Sequence, residues 1–75
     1  MGQVRSAAAQ AGFIDPELLI FEAAGAFAKA KEQAALDAEW ATRVRPAYDQ
    51  ISEKTLAILN HLYGLNATLI QRGLR

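Results

Sequence analysis

No cysteine occurs among the 75 residues, which removes disulfides, thiolate metal ligands and cysteine nucleophiles at one stroke. His61 is the only histidine, so a structural zinc site lacks the nitrogen and sulfur donors it needs. The charges cancel, with 8 basic against 8 acidic residues. A chain without net charge has no long-range field to gather it onto nucleic acid or an anionic membrane. Long apolar runs are missing as well. The longest strongly apolar stretch, Leu18 to Phe21, is far short of a membrane span. The first residues carry Arg5 but no apolar segment of the signal-peptide kind. A soluble, cytoplasmic protein is the expectation.

Also missing are alternating strand-like segments, and β-branched residues are sparse. What fills the chain instead is Ala, Leu, Glu, Lys and Gln, the residues that favour helices. Hydrophobic residues make up 52% of it, too many for a disordered chain. At this length a single domain leaves much of its surface wet and needs reinforcement. With disulfides and metal set aside, helix packing and self-association remain.

Residues 1–14 read as a short N-terminal helix and linker, with Gly12 able to close the helix. Asp15, Pro16 and Glu17 form the clearest start signal in the sequence. An aspartate can cap free amides, proline suits the first helical position, and glutamate suits the positive end of the dipole. Helix 1 is therefore expected over 15–45, with Glu39 and Arg43 spaced for an ion pair. Pro46 removes a helical hydrogen bond, collides with the Thr42 carbonyl and pushes Arg45 out of helical geometry. It either separates two helices or kinks one. Separation is favoured, because a lone long helix has no core. Helix 2 is expected over 46–72, either interrupted at Gly64 or continuous through it.

One heptad phase runs through both helices. Ile20, Phe27, Ala34, Ala41, Tyr48, Thr55, Leu62 and Leu69 recur every seven residues; Ala23, Ala30, Asp37, Val44, Ile51, Ile58 and Leu65 follow three later. Such spacing lays an apolar stripe along a helix that can interlock with a neighbour. Its first half is mostly alanine and its second half is bulky. The fold class expected is all-α, an antiparallel helical hairpin that assembles into a helical bundle. The self-association seam is placed on Ile20, Phe27, Ile51, Ile58, Leu62, Leu65 and Leu69.

Chemistry-bearing patterns are absent. His61 has no carboxylate at helical spacing to orient it as a base, and the acidic residues lack the Glu-x-x-His motif of di-metal bundles. No catalytic residue, metal or cofactor is expected. Trp40, Arg43, Arg45 and Tyr48 cluster around Pro46 with the composition of an interface anchor. The functional expectation is a non-enzymatic protein–protein interaction module, pairing with itself, with another protein, or with both. The alternative is a small DNA-binding regulator that uses Arg72 and Arg75, although the neutral charge and the lack of a basic face weigh against it.

Overall fold

The computed structural model describes residues 15–75, so the expected N-terminal helix lies outside the described residues. These residues form three α-helices and no strand, an all-α fold. Helix α1 spans Pro16–Lys29, α2 spans Gln33–Glu39 and α3 spans Glu53–Gln71. A π-helical turn, Trp40–Val44, and a 3-10 segment, Arg45–Gln50, carry the chain from α2 toward α3. Each helix packs on the other two. No described helix is long and apolar enough to cross a membrane.

The start of α1 follows its sequence signal. The Asp15 carboxylate accepts from the amides of Glu17 and Leu18, and Pro16 occupies the first turn. The end of α1 departs from expectation. Instead of running on to Val44, the helix stops at Lys29, and Ala30 and Glu32 adopt extended backbone. No proline or glycine marks this break. Its cause is tertiary: a continuous helix over 16–44 would be about 43 Å long, against about 28 Å for α3. Breaking at Ala30 brings Leu36 and Val44 back to join Phe27 and Leu59 in one core.

Pro46 also departs from expectation. Arg45 keeps right-handed helical geometry, and its amide donates to the carbonyl of Trp40, five residues back. The wider π turn separates Pro46 from the preceding carbonyls, so the proline is absorbed into the 3-10 segment without ending the helical path. The chain turns instead at Ile51 and Ser52, both extended. Ser52 caps α3 by accepting from the amide of Thr55. Two bends therefore replace the single turn at Pro46. The long helix 1 is divided in two, and helix 2 begins at Glu53.

Helix α3 runs unbroken through Gly64 and closes in a Schellman turn. The amide of Gly73 donates to the Ile70 carbonyl and that of Leu74 to the Leu69 carbonyl, while Gly73 takes φ +72°.

The core contains Ala23, Phe27, Ala30, Leu36, Val44 and Leu59. Four of these belong to the heptad stripe. The break between α1 and α2 resets the helical phase, so Leu36 turns inward while Ala34 and Asp37 face solvent. On α3 the buried residues are Thr55, Leu59 and Asn66, of which only Thr55 belongs to the heptad row.

Candidate functional site

Three surfaces stand out, and the first gathers most of the residues flagged around Pro46. The π turn swings Trp40 inward, where its ring stacks on Phe27 and meets Tyr63 edge-on at a centroid distance of 5.4 Å. Its indole N–H donates to the Tyr48 hydroxyl at 2.8 Å, which holds Tyr48 over the 3-10 segment. Trp40, Tyr48 and Tyr63 line an open cleft with Asp37, Arg45 and Asn60. Arg43 does not join it. That side chain points to the other side of the helix, where it pairs with Glu39 at 2.7 Å, as their spacing predicts.

At the floor of this cleft is a polar triangle that sequence reasoning missed. Tyr63 donates to the Asp37 carboxylate at 2.5 Å, and the Gln33 amide donates to both the carboxylate and the Tyr63 hydroxyl. The hydrogen bonds from Tyr63 and Gln33 favour the charged carboxylate and hold Asp37 below its ordinary pKa. The same bond to Asp37 raises Tyr63 above the usual tyrosine value. The Gln33 carbonyl oxygen, buried below, has no hydrogen-bond partner among the described residues. The heptad pattern set Asp37 on the apolar stripe; in the fold it is exposed, and its partners Gln33 and Tyr63 are within its own chain. The only sequence signal for the triangle is the Gln33–Asp37 spacing of four, which says nothing of Tyr63.

The second surface is the outer side of α3. Ile58, Leu65 and Leu69 are exposed, Leu65 by 52%, and Leu62 is half-buried between them and the core. Their 4-3-4 spacing forms a continuous apolar row. The proposed seam is thus divided by the fold. Phe27 is fully buried, Ile20, Ile51 and Leu62 pack on the core, and Ile58, Leu65 and Leu69 remain exposed. Lys54, His61 and Arg72 lie along one side of this row by helical spacing, all exposed.

The third surface is the outer side of α1. Leu18 is 52% exposed and Phe21 is 76% exposed, with Gly25 and Ala28 continuing their row. Glu17 and Glu22 flank it and are exposed.

The two arginines of the nucleic-acid alternative separate. Arg72 is exposed, whereas the Arg75 guanidinium donates to the carbonyls of Phe27 and Ala30 and to the Asn66 side chain. It adds donors at the end of α1, where the Phe27 carbonyl otherwise receives the Ala30 amide.

Comparison of the chain with protein-family models, with curated proteins and with solved structures finds no match.

Proposed function

We propose that this chain is a non-enzymatic protein–protein interaction module that docks a partner on the outer row of α3. The observation that carries the reading is the exposure of Ile58, Leu65 and Leu69 at heptad spacing on a capped, uninterrupted helix. Scattered exposed apolar residues are ordinary on a soluble protein; a regular row along one helix is the form in which helices bind helices. The row is rigidly presented, because α3 is anchored through Leu59, Asn66 and the Ser52 cap. The DNA-binding alternative draws less support, since Arg75 is engaged within the fold.

The test compares tagged wild-type protein with Leu65→Glu and with Trp40→Ala. Solution mass and the proteins captured from cells expressing it are both read. Loss of self-association or of a captured protein in Leu65→Glu, with helicity retained, supports the α3 row. Identical mass and identical capture in wild type and Leu65→Glu overturn it. Trp40→Ala reports separately on the aromatic cleft.

A further inference from the structure

The outer row of α3 is charged on one side only. Ile58, Leu62, Leu65 and Leu69 follow one another at helical spacing, and Lys54, His61 and Arg72 border them on the solvent side. Lys54 stands one turn before Ile58 and Arg72 one turn after Leu69, so each end of the row carries a cation. Both are exposed, and neither takes part in an ion pair among the described residues. On its other side the row passes into the buried Thr55, Leu59 and Asn66, none of them charged. Glu53 is the only acidic residue on α3. It lies about 140° around the helix axis from Ile58, away from the row. From Lys54 to Arg72 the face is about 27 Å long, at 1.5 Å of rise per residue.

We propose that the partner on the α3 row is an acidic amphipathic helix, its apolar stripe on Ile58, Leu62, Leu65 and Leu69 and its carboxylates beside Lys54 and Arg72. This rests on the interaction reading above and adds the shape and charge of the partner. A straight row on an anchored helix is matched by another helix, whose own anchors recur every three and four residues. Charge sets the sign of its flanks, because complementary rims select a partner and like charges exclude others. A second copy of this chain does not offer that complement. Two α3 rows face to face set Lys54 and Arg72 against cations, whether the helices run parallel or antiparallel. The outer side of α1 is mixed in sign. Glu17 and Glu22 share it with Lys29, and Lys29 and Arg43 line the same surface as Phe21 and Glu22. An anionic bilayer fits no better, since a helix lying in one carries a cation-rich polar face. Opposite its row, α3 carries Glu53, Asn60, Gly64 and Gln71, with no cation among them.

The probe is a dye-labelled synthetic helix of about 20 residues with leucine at its a and d positions, read by fluorescence anisotropy. One version carries glutamate at e and g, and its twin carries lysine there. Wild type is expected to bind the glutamate version about tenfold tighter at low salt, with the gap shrinking as salt is added. Leu65→Ser removes apolar contact without adding charge and should weaken that binding by about tenfold. Lys54→Glu combined with Arg72→Glu should turn the preference toward lysine. If circular dichroism shows that this pair has lost helicity, Lys54→Gln with Arg72→Gln replaces it and should make the two versions equal. Equal binding by wild type, or a preference for lysine, overturns the acidic partner; if Leu65→Ser weakens both versions, the row stands as a docking face without that selection. No binding of either version overturns the proposal and leaves the interaction reading to the capture experiment. Binding of the glutamate version that Leu65→Ser leaves unchanged puts the site off the row and overturns both. Co-sedimentation with vesicles of phosphatidylcholine and phosphatidylserine runs in parallel. Vesicle binding that Leu65→Ser removes would assign the row to a bilayer and overturn the helix partner.

Discussion

The guanidinium of Arg75 donates 2.9 Å to the carbonyl of Phe27, a residue 48 positions earlier. It also reaches the carbonyl of Ala30 and the buried Asn66 side chain. One side chain thus ties the end of the chain to the break between α1 and α2 and to the inner face of α3. The connection exists because Gly73, in left-handed conformation, reverses the backbone after α3 and returns Arg75 to the bundle.

Removing that tie should loosen the whole fold. Arg75→Ala leaves the Phe27 and Ala30 carbonyls and the Asn66 oxygen without a charged donor, at a cost of about 1–3 kcal/mol. Arg75→Lys should recover only part, because an ammonium cannot span three acceptors as the planar fork does. Gly73→Ala forces a side chain into positive φ and should cost about 1 kcal/mol. Urea unfolding of the singles and the double checks this. If Gly73 acts by aiming Arg75, the double variant loses less than the two singles added together.

Asp37 and Tyr63 predict opposite ends of a pH profile. Asp37 is held below its ordinary 3.8 by its hydrogen bonds from Tyr63 and then Gln33. A carboxylate depressed in the folded state stabilises above its unfolded value, and that contribution disappears as pH falls through the folded value. Wild type should therefore lose stability below about pH 4 more steeply than Asp37→Asn, followed by thermal melting. Tyr63 is raised above 10.0, chiefly by its bond to Asp37. The stability it contributes is complete below its unfolded value and is lost as pH rises through the folded one. In Tyr48→Phe only Tyr63 remains to titrate, since the chain has two tyrosines. Its absorbance change should come later than that of a free tyrosine, and Asp37→Asn should bring it back.

Local chemistry made parts of this fold legible in the sequence. The Asp15-Pro16-Glu17 start of α1, the Glu39–Arg43 pair and the all-α class follow from capping, spacing and propensity. The two bends did not follow from them. Ala30–Lys31–Glu32 contains only helix-compatible residues, and it opens because the core gains Leu36 and Val44 when the chain folds back. Pro46 gave the opposite error: a strong local signal for a break is absorbed by a π turn five residues wide. The heptad phase located apolar positions correctly but assumed one unbroken rotation. The bend after α1 therefore turned Ala34 and Asp37 outward. Of the flagged site residues, Trp40, Arg45 and Tyr48 share a cleft because they are close in sequence. Asp37 and Tyr63 are 26 residues apart and meet only through tertiary packing.

The caps of α2 and α3 differ, and the difference can be used. Glu32 precedes α2 in extended geometry but makes no side-chain cap, whereas Ser52 accepts from the Thr55 amide. Glu32→Ser places a short acceptor beside the first-turn amides of α2 and should stabilise by about 0.5–1 kcal/mol. Ser52→Ala should destabilise by about 1 kcal/mol. Chemical denaturation midpoints moving in opposite directions would check both. No gain from Glu32→Ser would mean that the bend at Ala30–Glu32, not the missing cap, limits α2.

Phe27 should be the most sensitive position in the protein. It is fully buried, stacks on Trp40, meets Tyr63 edge-on and lies at the junction of all three helices. Phe27→Ala removes about 3–5 kcal/mol from a core of this kind. A domain this small has a total stability of about the same size. The variant is therefore expected to be largely unfolded at room temperature, with loss of helicity and a shift of Trp40 emission toward that of a solvated indole. Phe27→Leu keeps most of the volume and should fold with a lowered melting temperature. A folded Phe27→Ala would place the stability elsewhere, in the outer rows, and self-association measured on that variant would show whether a second copy supplies it.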